Sequence, residues 1–354
     1  MQGNTLANGT ERPLDWNAID WKKVNKQVRN LRQRIFRATL DGDWKKVRSL
    51  QKLMLRSHAN VLESVRRVTP INQGKKTPGV DKVVVKTPAE RMKLVKDLTT
   101  YTPWRAKPVK RVYIPKANGK LRPLGIPVVR DRALQAIVKN ALEPEWEARF
   151  ESTSYGFRPG RSTHDAIERI FQAARGNGKK KWVVDADIKG AFDHINHDYL
   201  LQTIGQVPGM ELIRQWLKAG AMEGATYQPT EQGTPQGGVI SPLLANIALH
   251  GMEEAVGVVR RKDHSVIGRV VVRYADDFVV ICASQEDAEA TIRTLQEWLS
   301  LRGLQLSEEK TQIVHLSQGF DFLVPSQYSF DGYNLYNSRL KREFVSIIST
   351  LTGY

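Results

Sequence analysis

Val270-Val271-Val272-Arg273-Tyr274-Ala275-Asp276-Asp277-Phe278-Val279-Val280-Ile281 sets two β-branched runs on either side of two adjacent carboxylates. The pattern predicts strands over 270–274 and 278–281 joined by an acidic tip. Asp is common in turns because its side chain bonds nearby backbone amides, so such a tip can be purely structural. Strands this apolar, however, imply a partly buried hairpin. Two like charges buried together are costly unless one is neutralised or a cation is recruited. A second acid-ended strand is Trp182-Val183-Val184-Asp185-Ala186-Asp187-Ile188. Strand alternation puts Asp185 and Asp187 on one face, opposite Val184 and Ala186. If the two segments lie side by side, Asp187, Asp276 and Asp277 converge. Hard oxygen ligands that leave positions open for water and phosphate suit Mg²⁺. Two such ions about 4 Å apart activate an attacking hydroxyl and stabilise a leaving pyrophosphate.

Outward from these strands the chain mixes short strands with helices. Val109 to Pro115 alternates as a strand, Asn118-Gly119 turns it, and Leu121 to Ile126 returns as the second arm of a hairpin. Residues 131–150 read as helical, and Ser162 with Asp165 reads as a capping box for a helix to about Ala174. Ser241-Pro242 opens another helix, with Ser as cap and Leu243, Leu244, Ile247 and Ala248 on its apolar face. Residues 288–301 form a helix ending at Gly303. Near the start, Val24, Val28, Leu31, Ile35 and Ala38 recur at helical spacing, and a second helix carries Trp44, Val47, Leu50 and Met54 on one side. Residues 70–90, rich in Gly, Pro, Lys and Thr, read as a mobile loop. The order of elements gives an α+β class rather than a parallel doubly wound sheet.

Composition narrows the function. The 354 residues are 41% hydrophobic and 26% charged, enough for a real core. The net charge is +17, carried by the first 150 residues, where 33 Lys and Arg face 13 Asp and Glu; the remainder holds 21 against 24. A basic half beside a near-neutral half points to a polyanion, because neutralising phosphates releases condensed counterions. The alternative is a solvated basic face. A single cysteine, Cys282, excludes a disulfide framework and a cysteine-based zinc or iron–sulfur site, and makes a reducing cytoplasm the default. His194 and His197 lie near Asp187, but no cysteine or further histidine completes a zinc set. No apolar run approaches the roughly 20 residues of a membrane span, and no membrane partner is expected.

Three segments together carry a resemblance. Tyr274-Ala275-Asp276-Asp277 resembles the catalytic box of reverse transcriptases, Asp187 with Phe192 resembles their first carboxylate box, and 233–247 (Gly233-Thr234-Pro235-Gln236-Gly237-Gly238 onward) resembles the segment between them. With Ile114 to Pro127, Ser154 to Ser162, Trp21 to Arg37 and Lys76 to Asp81, the chain over about 15–323 resembles bacterial group II intron-encoded reverse transcriptases, or maturases.

The resemblance implies a right-hand polymerase with an antiparallel palm sheet backed by helices: a basic helical extension (1–95), fingers (96–180), palm (181–323) and a divergent or truncated thumb remnant (324–354). It implies Asp187, Asp276 and Asp277 as Mg²⁺ ligands, with an RNA template, a DNA primer and dNTPs as partners. Phe192 would lie under the incoming sugar and leave no room for a 2′-hydroxyl. Arg122, with Lys116 or Lys120, would meet the triphosphate, Lys and Arg suiting phosphate by charge and by fork geometry. Gln236 and Gly237 would bring backbone and an amide close to nucleotide and template. Lys310 matches a position where a lysine could protonate pyrophosphate; a salt-bridged surface lysine is the competing reading. Past Leu323 the family pattern breaks, as a truncated or frame-disrupted copy would show. Rival readings are a CRISPR-linked or diversity-generating reverse transcriptase, and an RNA-binding splicing cofactor or inactive remnant without polymerase activity.

Overall fold

Short polar side chains open the first helices. The computed structural model describes residues 15–100, 103–115, 119, 121–175, 180–260, 266–320 and 322. Asp20, Asp43 and Ser57 accept the N–H groups of Lys23, Lys46 and Asn60, satisfying donors that a helix start leaves free. They start α1 (Trp21–Leu40), α2 (Trp44–Arg56) and α3 (His58–Arg66). Thr87 and Glu90 form a reciprocal capping box on α4 (Pro88–Thr99), so a helix begins inside the stretch read as loop. A second departure is Trp44, which is 48% exposed at the first turn of α2, while Val47, Leu50 and Met54 are buried as expected.

The strands β1 (Val109–Pro115) and β2 (Leu121–Ile126) form the expected antiparallel hairpin. The helix α5 (Val129–Glu147) follows and is buried along nearly its whole length. Val129, Ala133, Ile137 and Ala141 join the core of α1 to α4, while Val138, Leu142 and Trp146 join the core under the central sheet. Each large apolar side chain so buried contributes about 1.5–3 kcal/mol. Then come α6 (Thr163–Arg175), opened by the Ser162–Asp165 exchange, β3 (Trp182–Asp187), α7 (Ala191–His194), α8 (His197–Ile204) and α9 (Met210–Lys218). After β4 (Ala221–Glu223) and β5 (Thr226–Gln228) the chain runs through α10 (Ser241–Ala248), α11 (Met252–Ala255), β6 (Val259–Arg260) and β7 (Val266–Ile267). It continues with β8 (Val270–Tyr274), β9 (Asp277–Cys282), α12 (Gln285–Ser300) and β10 (Gln312–His315). Ser241 is the first residue of α10 rather than its cap; its hydroxyl donates to the Pro235 carbonyl and accepts from Thr234.

Two four-stranded sheets result. One has the order β2-β1-β4-β5, with β4 parallel to β1, so residues 221–228 complete a sheet begun more than ninety residues earlier in sequence. The other, β10-β3-β9-β8, is wholly antiparallel. Alternate residues of this central sheet enter opposite cores. Ala186, Phe278 and Val280 face the core shared with α8, α10 and α12, while Val183, Val272 and Val279 pack with Ala166 and Ile170 of α6. The architecture is the α+β one, helices backing an antiparallel sheet. Among the described residues no helix is long and apolar enough to cross a membrane. The segment 324–354 expected as a thumb remnant lies outside the described residues.

A buried arginine locks the end of β8. Arg273 is 2% exposed and donates to Asn246 Oδ1 (2.9 Å), the Ala275 carbonyl (3.0 Å) and Ser154 Oγ (2.7 Å). Burial pushes its guanidinium down to about 10, opposed by the negative charge of Glu151. Burial alone would raise Glu151, but the His250 contact and the Arg273 charge bring it down to about 2. The segment before Gly156 runs beside β8, with Arg273 N–H donating to the Thr153 carbonyl and Tyr155 N–H to that of Arg273. Replacing Arg273 by Met leaves three hydrogen-bond partners without their donor and removes the positive charge that faces Glu151, which keeps only His250 and the Gly251 N–H. Urea unfolding should show a loss of about 3–5 kcal/mol; a loss under about 1 kcal/mol would mean the arginine is not the anchor.

Candidate active site

Strand register brings the predicted carboxylates together. Asp187 closes β3 directly opposite Asp277, which opens β9, and Asp276 occupies the turn between β8 and β9. Residues directly opposite on antiparallel strands have Cβ atoms about 4.5–5.5 Å apart, so this pairing places two carboxylates within reach of one ligand. The turn is set by Ala275, whose φ of +61° is unusual for a residue with a Cβ. Its carbonyl is fixed by Arg273, and a Cβ on Gly156 would come within 2.3 Å of the Ala275 nitrogen, so a glycine is required there. The Ile188 N–H donates to the Asp276 carbonyl at 3.3 Å, and the Ser307 N–H to the Asp187 carbonyl at 2.8 Å.

The electrostatics follow from that convergence. Burial, then the charges of Asp276 and Asp187, push the Asp277 carboxyl up to about 7, where it hydrogen-bonds Asp187. Burial, with the charge of Asp187 adding to it, also raises Asp276, against the pull of Arg122 and Lys310. Carboxylates this close cannot all ionise freely in the absence of a cation. Lys310 forms an ion pair with Asp187, its side chain 63% exposed, and that contact raises its ammonium. The lysine is therefore salt-bridged, and to a carboxylate of the candidate site. Asp185, on the same face as Asp187, accepts instead from Gln312 of β10 at 3.0 Å.

A second group stands beside the acidic edge. Phe192, in α7, is 7% exposed and meets the ring of Phe157 edge to face at 5.9 Å between centroids. Phe157 has a left-handed φ of +62° and is half-exposed. Arg122 Nε donates to Gln236 Oε1 (2.7 Å), and Gln236 Nε2 donates to Asp193 Oδ2 (3.3 Å), linking the β1–β2 hairpin to the residue after Phe192. The Gly125 N–H donates to the Gln236 carbonyl at 2.7 Å, and a Cβ on Gly237 (φ +113°) would stand 2.9 Å from the Gly125 carbonyl oxygen. A cleft of about 480 Å³ lined by Arg111, Phe192, Asp193, Gln232 and Pro235, among others, opens next to this group. Lys116 and Lys120 lie outside the described residues. Sequence reading did not single out Phe157 or Asp193. The first sits inside a quoted segment with nothing to mark its ring, and the second directly follows Phe192.

His194 and His197 make no zinc site. His197 is buried and donates to the Gly233 carbonyl (2.7 Å), while His194 Nδ1 accepts from Gln232. Among the described residues no three or more His, Cys, Asp and Glu side chains close into a ready-made metal cage. The three aspartates form an open acidic edge.

The sequence matches two family profiles, "Reverse transcriptase (RNA-dependent DNA polymerase)" over residues 114–335 and "N-terminal domain of reverse transcriptase" over 16–98. The first runs past Leu323, where the resemblance read from the residues stops. The chain is 34% identical over 330 residues to Protein YkfC of Escherichia coli, covering 82% of this chain and 84% of that protein. It is 36% identical over 286 residues to the group II intron-encoded protein LtrA of Lactococcus lactis, covering 63% of this chain and 47% of LtrA, about half its length. Among solved structures, apo telomerase from Candida tropicalis aligns with a TM-score of 0.46 at 15% identity, over 64% of this chain and 48% of that one.

The shared titration is open to direct measurement in divalent-free buffer. Asp277 has a folded value of about 7 against an ordinary 3.8, so its contribution to stability is full below about pH 4 and lost as pH rises through about 7. Asp277→Asn should therefore raise the thermal midpoint by about 4 °C or more near pH 8, with the advantage vanishing near pH 4. An unchanged midpoint at both pH values would show that the carboxylates do not burden one another.

Proposed function

The chain belongs to the reverse transcriptase (RNA-dependent DNA polymerase) family, and on that premise we propose that it copies RNA into DNA, extending a DNA primer with dNTPs. The template we assign is group II intron RNA, with a role in intron splicing and mobility, as the relative LtrA suggests by its name. The observation that carries the reading is Asp187 in register with Asp277, with Asp276 on the adjoining turn. The family uses divalent metal ions. Asp187, Asp276 and Asp277 would hold Mg²⁺, which when bound activates the primer hydroxyl and stabilises the leaving pyrophosphate. The open edge suits an ion that keeps several waters and takes substrate phosphates as ligands. Mutual repulsion among the aspartates supplies the drive to accept a cation.

The chain's own residues do the rest. Arg122, oriented by Gln236, directs a guanidinium at the triphosphate. Lys116 and Lys120, which fall between Pro115 and Arg122 in the sequence, would share that role. Phe192, braced by Phe157, forms the wall that excludes a 2′-hydroxyl. Gln236 and Gly237 hold nucleotide and template against the backbone. Lys310, whose Nζ pairs with Asp187, would give a proton to pyrophosphate. A cytoplasmic setting, expected from the single cysteine, belongs to the same proposal.

Primer extension on an RNA template should be Mg²⁺-dependent and fall more than about 100-fold in Asp276→Asn; equal activity in that variant removes the metal assignment. Phe192→Val should admit ribonucleotides at least about tenfold better relative to dNTPs, read as the ratio of kcat/KM values. An unchanged ratio would leave Phe192 as core packing alone.

A further inference from the structure

A second cleft, this one basic, is lined by none of the three aspartates. It has a volume of about 580 Å³ and opens between residues 105–108 and α9, with Tyr227 of β5 in its wall. Arg105, Lys107, Arg214 and Lys218 line it, all exposed, against one carboxylate, Glu211. Four cations against one anion leave a surplus of three, and Glu211 is engaged by Arg214 at 2.9 Å. Tyr227 is 51% exposed, its ring edge lying against Gly220. Neither the three aspartates nor Phe192, Arg122 and Gln236 border this space. The chain passes from it directly to the active-site side, Pro108 lining this cleft and Val109 the one beside Phe192.

Both walls are tied to one buried group. Asp131, 1% exposed, accepts from Trp104 Nε1 (2.8 Å) and the Lys107 N–H (3.1 Å) on one wall, and from Trp216 Nε1 (3.1 Å) of α9 on the other. Gln215 Oε1 of α9 adds a bond from the Ala106 N–H at 3.1 Å. Trp104 is further held under the Arg130 guanidinium at 4.3 Å. An irregular segment such as 103–108 would otherwise move independently of α9. Here its backbone is held against α9 before any ligand arrives, so the two cationic walls need not be brought together on binding, which lowers the ordering cost.

We propose that this cleft is a binding site for single-stranded RNA, its cations meeting the sugar-phosphate backbone and Tyr227 offering a stacking face to a base. Positive charge alone suits any polyanion. A half-exposed tyrosine beside the cations selects an unpaired strand, because a duplex hides its base faces. The inference concerns binding alone and holds whether or not the aspartates carry nucleotidyl transfer.

The test is fluorescence anisotropy of the full chain with a labelled twelve-residue oligo(U) at several salt concentrations. Arg105→Glu and Lys218→Glu should each weaken binding about tenfold at low salt and reduce the slope of log K against log salt by about 0.7. Tyr227→Ala should weaken it about fivefold or more. Arg293→Glu, an exposed reversal on α12 with the same change in net charge, should leave affinity near that of the parent. Thermal midpoints of all four should match the parent. Losses as large in Arg293→Glu, or none in the cleft variants, would overturn the site. So would duplex RNA binding as tightly as oligo(U) with no effect of Tyr227→Ala. A primer–template series with lengthening 5′ overhang separates the sources: a cleft-variant defect that grows with the overhang assigns the strand to the template's unpaired end, and one confined to free oligo(U) assigns it to a separate RNA.

Discussion

Three carboxyl groups are forced into one corner by β-sheet register. Because β3 and β9 pair antiparallel with Asp187 opposite Asp277, every apolar residue that seats the sheet in its cores also fixes the distance between those carboxylates. A slip of one residue would turn Ala186 and Val280 out of their core and part the acids, so stability and convergence are enforced together. Electrostatic tension at the tip is thus sustained by packing energy spent elsewhere, an arrangement common at sites built for a cation.

The surrounding frame restrains that tension. Arg273, anchored between Asn246, Ser154 and the Ala275 carbonyl, fixes the turn in a backbone shape that alanine seldom adopts. Glu151 offsets its buried charge, and Gly156 leaves room for the turn to approach. From the other side, Gln236 joins Arg122 of the β1–β2 hairpin to Asp193, tying the hairpin to the short helix that carries Phe192 although the two are far apart in sequence. The helical N-terminal part joins through α5, which is buried in both main cores and transmits the position of one to the other.

Much of this was legible in the residues. The runs 270–281 and 182–187 announce strands by β-branched content and alternation, and the hairpin at 109–126 by its Asn-Gly turn, since these signals are local. The convergence of Asp187 with Asp276 and Asp277 was readable only on the condition that the two strands lie side by side, which the register supplies. What stayed hidden depends on distant partners. The three-residue strands β4 and β5 are too short to show a period, and their parallel pairing with β1 is invisible locally. Trp44 fits a helical stripe by spacing but falls at the first turn, where the core does not reach. Ser241 has the chemistry of a cap yet is drawn to Pro235 and Thr234 by the fold of 233–240. Asp131, an acid in a helix, gives no hint in sequence that two tryptophans from separate segments donate to it.

The account stands on the three aspartates jointly gripping divalent ions. Crystals of the protein soaked in Mn²⁺ and measured for anomalous scattering locate such ions directly. The prediction is density bridging Asp187 and the Asp276–Asp277 turn, with carboxylate oxygens about 2.0–2.3 Å from the metal. Strong anomalous peaks elsewhere with none at that edge, or Asp187 turned away from Asp277 in the experimental map, would contradict it.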